Sequence, residues 1–263
     1  MRTVAARALT AVAAVLALAA CENTPAPSLG GGAAETPPII TQALAAPDRP
    51  ETDVDRDAAR RSAEVVAFTG AGPGDQVLDL GSLGGYMAWI FSGVVGPAGG
   101  VTVHNPPDWY NNFEQVPLSV GELTSLRANT VSAVTPFDRL FATGPASSYD
   151  LVFSGLVYHD VAYLNVDRTA MNQQIYTLLR PGGAYVVVDH QAAPGAGVRD
   201  VQSLHRIDPA VVRSEVEAAG FVFNGALDVL TNPDDDPTLS VFDPGLRGAT
   251  SQFVYLFVKP TGG

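Results

Sequence analysis

The chain has 263 residues, 46% of them hydrophobic and 16% charged, with a single cysteine and four histidines. That length suits one large domain or two small ones, and leaves room for a core of ordinary size. A formal charge of −12, from 15 basic and 27 acidic residues, repels phosphate backbones, and no cluster of Lys and Arg overrides it, so nucleic acid is excluded as a partner. One cysteine excludes an intramolecular disulfide framework and a multi-cysteine zinc site. No apolar run reaches the roughly 18–20 residues of a membrane span.

At the N-terminus, Arg2 and Arg7 precede or open an uncharged stretch, Ala8–Ala20. A basic start, a short apolar run and small residues at its end describe a secretory signal peptide. Leu18-Ala19-Ala20-Cys21 resembles the lipobox of bacterial lipoproteins. That resemblance implies removal of residues 1–20, acylation of Cys21, export to the cell envelope, and membrane contact only through the lipid. The rival reading is an ordinary signal peptide cut near Ala19. Residues 21–50 are rich in Pro, Ala and Gly and read as a flexible tether, with folding expected from near Asp48 and a domain over 51–263.

The remaining chain alternates between the periods of strand and helix. Asp53–Thr69 suits an amphipathic helix, and Gly70–Asp75 a turn. Gln76–Leu80 reads as a short strand, Tyr86–Val95 as a helix, and Val101–His104 as a second strand. Leu118–Asn129 is expected to be helical, Thr130–Val134 extended, and Asp150–Ser154 a buried strand. Asp167–Leu179 reads as a helix that Arg180-Pro181-Gly182-Gly183 stops. The β-branched run in Ala184–Asp189 suits a strand covered on both faces. Asp208-Pro209 supplies an N-cap and first-turn proline for a helix to Ala219. Phe221–Leu230 and Gln252–Lys259 close the chain as two strands without a helix between them. The expectation is an α/β fold, a doubly wound, mostly parallel seven-stranded sheet with an antiparallel edge pair. Asn232–Pro237 lacks the spacing of a calcium loop and reads as a solvated turn.

Asp79-Leu80-Gly81-Ser82-Leu83-Gly84-Gly85 links the first core strand to a helix. Ligands of doubly wound sheets bind at such turns, where glycine admits close approach and the helix offers free N–H groups. The stretch VLDLGSLGGYMAWIFSGVVGPAGGVTVHN resembles the first cofactor motif of class I S-adenosylmethionine-dependent methyltransferases. Ser148–Phe153 is similar to their strand 4, and Leu179–Ala184 to their turn into strand 5. The resemblance covers about 48–260. It is closest to predicted bacterial methyltransferases with signal peptides, through Tyr158-His159-Asp160, Val188-Asp189-His190, Leu204–Asp208 and Phe242–Gly248. It implies S-adenosylmethionine as cofactor, bound by Asp79, Gly81, Ser82, Gly84, Gly85 and Asn105. Leu83 replaces the family's middle glycine, and Asn105 stands where an acidic residue usually accepts both ribose hydroxyls. Near the adenine, Thr135 or Pro136 takes the place of an acid or amide unless Asp138 reaches in.

His104, His159 and His190 fall where strands should end, with His205 in the following loop. His159 matches the family's post-strand-4 substrate position. There an imidazole is suited to taking a proton from a substrate O–H or N–H, with Asp160 to orient it or to cap the next helix, and His190 as a second candidate. A metal held by His159, His190, His205 and one carboxylate is the weaker alternative, because no local histidine pair announces it; no metal ligand is assigned. Arg206 and Arg247 are candidates for holding an anion or for ordinary ion pairs. The leading expectation is a methyltransferase acting on a small molecule. The alternative is an envelope lipoprotein that keeps the fold but binds another ligand or a metal.

Overall fold

A computed structural model describes residues 36–164, 166–246 and 248–262. The expected signal peptide, Cys21 and Arg247 lie outside the described residues. The β-branched and aromatic runs form the sheet: β1 (Gln76–Leu80), β2 (Gly100–Asn105), β3 (Thr130–Val134), β4 (Tyr149–Gly155), β5 (Leu179–His190), β6 (Val222–Leu227) and β7 (Gln252–Val258). Their order is β3-β2-β1-β4-β5-β7-β6. Neighbours from β3 to β5 are parallel, whereas β7 runs antiparallel to both β5 and β6. Successive residues feed opposite faces, as the strand period demands. Val77 and Val186 enter one core while Leu78 and Val187 enter the other. Helices cover both faces, so the central strands are mostly apolar, with buried Asp79, His104, Asn105 and Asp189 near their carboxyl ends.

Helices in chain order are α1 (Pro38–Leu44), α2 (Glu51–Val54), α3 (Ser62–Thr69), α4 (Tyr86–Val95), α5 (Pro107–Asn112), α6 (Gln115–Leu126), α7 (Tyr158–Tyr163), α8 (Arg168–Leu178) and α9 (Pro209–Ala218). Asp167 and Asp208 cap α8 and α9 by accepting from Ala170 and Ala210 N–H. Trp89 and Phe91 of α4 pack that helix on the sheet.

Ordered structure begins earlier than Asp48. Helix α1 buries Ile40 and Ala43 against α4, so the stretch read as tether extends too far at its C-terminal end. Asp53–Thr69 is not one helix. Arg61 adopts the left-handed conformation, with φ +47°, between α2 and α3. Tertiary contacts override helical periodicity there: Arg49 grips Asp57 with two bonds of 2.7 and 2.8 Å, and Arg56 and Arg60 lie over the Tyr86 ring. Likewise Arg180–Gly183 belongs to β5, because its backbone pairs with Lys259 on β7's extension. The Asn232–Pro237 turn is pinned rather than merely solvated, since Asp235 receives two 2.7 Å bonds from the fully buried Arg206. Arg206 is thereby an ion-pair residue and not an anion receptor.

Candidate functional site

The strand order reverses between β1 and β4, which opens a crevice at their carboxyl ends. A cavity of about 650 Å³ lies there, lined by the glycine turn, by α3 and the segment preceding it, by α6, and by the end of β4. Asp79 reaches it from β1. Its buried carboxylate accepts from the Ser82 hydroxyl, and burial still pushes its pKa up to about 6. Arg60 also lines the cavity, stacked 4.5 Å above the Tyr86 ring. Its guanidinium makes no hydrogen bond or ion pair with another described residue, and burial together with Arg56 lowers its pKa. An under-solvated carboxylate and an unpaired guanidinium lining one cavity are a combination able to hold the two charges of a zwitterion.

The glycines serve the chain's own packing. Gly81, at φ +66°, would put a Cβ 2.7 Å from Val157, and Gly85, at φ +91°, one 2.8 Å from Leu123. Gly84 lines the cavity. Leu83 holds φ +51°, the left-handed region that favours glycine. Asn105 secures it there: its Oδ1 accepts from Leu83 N–H at 2.8 Å and its Nδ2 donates to Leu83 C=O at 3.1 Å. Asn105 is therefore committed to the turn and does not line the cavity. His104 is committed as well. Its Nδ1 accepts from Gly81 N–H, its Nε2 donates to Thr135 C=O, and burial pushes its pKa down to about 4. Phe137 packs on His104, and Trp109 on Phe137, each at 5.4 Å between ring centroids. This aromatic stack fills the end of β2 and β3, and neither Thr135 nor Asp138 lines the cavity.

A second centre stands at the ends of β4 and β5. Asp189, fully buried, accepts from the His159 backbone N–H at 2.8 Å, from its Nδ1–H at 2.6 Å, and from His190 N–H. Burial alone would raise Asp189, but His159 holds it below the usual carboxylate range. Burial likewise opposes charge on His159, and Asp189 with Asp160 overcomes it, pushing the ring up to about 10. The two carboxylates thus favour the protonated ring, which sets His159 apart from the free base expected from sequence. Its Nε2 lies 3.3 Å from Asp160 Oδ1 and 3.4 Å from His205 Nδ1. Asp160 sits within α7 and faces this cluster rather than capping the helix. His190 is placed 5.9 Å from His159 between ring centroids, but its Nδ1 bonds with the Thr250 hydroxyl, and burial lowers its pKa to about 4.

The histidine trio is thus His159, His190 and His205. His104 belongs to the other corner. The signal that places His205 is the return of Gln191 onto Ile207 as a parallel bridge, which the sequence shows only as an apolar Ile beside a capping Asp. Nothing in the sequence sets Arg60 apart from Arg56 and Arg61 beside it, because one arginine in a charged helical stretch carries no signature of burial.

No family model matches the chain, and no curated protein matches it. Solved structures do. A S-adenosylmethionine-dependent methyltransferase from Aquifex aeolicus superposes with a TM-score of 0.55 at 15% identity, over 74% of this chain and 87% of its own. A putative sarcosine dimethylglycine methyltransferase from Galdieria sulphuraria gives 0.56 at 18%, over 80% and 88%. The cyclase SpnF gives 0.56 at 16%, over 78% and 82%. At such identities the likeness is one of fold: this is the Rossmann-like architecture of class I methyltransferases.

Proposed function

We propose that the protein is an S-adenosylmethionine-dependent methyltransferase acting on a small molecule. The observation that carries this reading is that Asp79 and Arg60 both line the cavity above the glycine turn. Asp79 would take the ammonium and Arg60 the carboxylate of the cofactor's amino-acid end. The cofactor supplies an electrophilic methyl group for in-line transfer. The chain's own part is to hold that group, exclude water and align an acceptor entering past Leu156, Val188 and Gln252. Of the residues assigned to chemistry, none of His159, Asp160 and His190 lines this cavity, and His190 is bound to Thr250. Gln115, Ser119 and Glu122 offer polar partners along α6; Asn105 offers none to a ribose while it holds Leu83.

That last point favours a second reading, in which the cavity receives a smaller amino-acid-like zwitterion without an adenosyl group. Calorimetric titration of the full-length protein separates the two. S-Adenosylhomocysteine should bind at micromolar concentration, and Asp79→Ala or Arg60→Ala should each weaken it. Equal affinity for free methionine supports the smaller ligand, and no binding of either compound refutes both. Truncation at Asp48 is to be avoided, because it removes α1 from its packing on α4.

Export and acylation at Cys21 are part of the same proposal. Globomycin should block processing of the wild-type precursor, and Cys21→Ala should abolish that sensitivity. Normal processing in both conditions would refute acylation.

A further inference from the structure

Around His159 the chain brings three metal-ligand atoms together from two separate segments. His159 Nε2 and Asp160 Oδ1 are 3.3 Å apart, His159 Nε2 and His205 Nδ1 3.4 Å, and His205 Nδ1 and Asp160 Oδ1 3.7 Å. A tetrahedral metal with ligand bonds of about 2.0–2.1 Å separates its ligands by about 3.3 Å. The three atoms thus form one face of such a tetrahedron almost without adjustment.

Two further features bear on the arrangement. Asp189 takes both the Nδ1–H and the backbone N–H of His159, which fixes the tautomer and turns Nε2 toward Asp160 and His205. Carboxylates behind metal-bound imidazoles act in this way. His205 is held at φ +53°, a strained position for a residue with a side chain, with its ring packed on Phe242 at 4.7 Å. Such strain persists where surrounding structure imposes it, and it accumulates at functional sites.

We propose that His159 Nε2, His205 Nδ1 and one carboxylate oxygen of Asp160 bind a divalent transition metal, with zinc the fitting ion. This does not rest on methyl transfer. Two imidazoles and one carboxylate select zinc or another borderline metal over magnesium or calcium, which prefer oxygen. Three protein ligands leave one position open, as in catalytic zinc sites. Binding displaces the proton on His159 Nε2 to solvent, while Nδ1–H stays on Asp189. The open position would accept water or an oxygen or sulfur donor of a small ligand. His190 takes no part, because its Nδ1 bonds with Thr250.

The test is metal titration of chelator-treated, full-length protein, with zinc followed by calorimetry and cobalt by its visible spectrum. One equivalent of zinc should bind at micromolar concentration or tighter, and cobalt should give the intense bands of a four-coordinate site. His205→Ala, which leaves the His159–Asp189 pair intact, should abolish stoichiometric binding. Asp189→Asn, which removes the orienting charge and one of the two acceptor oxygens, should weaken it by about 10–100-fold. Absence of binding at millimolar zinc, or equal binding by wild type and His205→Ala, overturns the proposal. So does a preference for magnesium or calcium.

Discussion

The two corners of the sheet's carboxyl edge use similar residues and end differently. At β2, His104 and Asn105 spend their hydrogen bonds on backbone groups of the glycine turn and of Thr135. At β4 and β5, His159 is held by Asp189 on one nitrogen only, and its other nitrogen meets side chains from two segments. A strand-end histidine whose partners are main-chain groups locks a turn. One whose partners are ionisable side chains has capacity left for chemistry. The residue type is the same; the difference lies in what consumes its valence.

Four substitutions break or sharpen that contrast. The largest effect is expected from Asp189→Ala, which leaves a buried imidazolium without its main partner and should cost about 3–5 kcal/mol in urea unfolding. A loss below 1 kcal/mol would show that the pair is not holding a buried charge. Next is Asp79→Asn. With the folded pKa raised from 3.8 to about 6, ionising Asp79 works against folding, so its penalty is absent below about pH 4 and complete above about pH 6. Asparagine should therefore stabilise the free protein at pH 8 by on the order of 3 kcal/mol and leave it unchanged at pH 4. Destabilisation at pH 8 would mean that the carboxylate is satisfied within the fold.

Asn105→Ala should cost about 2 kcal/mol, since two main-chain groups of Leu83 lose their partners. Smallest is Leu83→Gly, expected within about 1 kcal/mol of wild type, because relief of the left-handed strain is offset by the freedom glycine loses. Combined with Asn105→Ala it should recover part of the loss, whereas strict additivity would show that Asn105 does not restrain Leu83.

The sheet was readable in the sequence because its strands are apolar on both faces and are separated by glycine turns. Tyr86–Val95 and Thr130–Val134 coincide with their expected limits, and β6 and β7 pair antiparallel as anticipated. Helix α1 was hidden by its surroundings: Pro37 and Pro38 suggest a linker, and only the packing of Ile40 and Ala43 on α4 makes it helical. The break at Arg61 was hidden because arginine carries no left-handed signature. Within the candidate site, Asp79 and the glycine turn were visible from the strand before them and the helix after. The role of Asn105 depends on the backbone angle of Leu83, and that of His205 on a loop returning over more than forty residues from His159. Neither is written in local spacing.

Arg206 follows His205 directly, and its guanidinium is anchored to Asp235 and to the carbonyls of Gln191 and Leu239. The chain at His205 is thereby moored, one residue on, to the Asn232–Pro237 turn, while the His205 ring itself rests on Phe242.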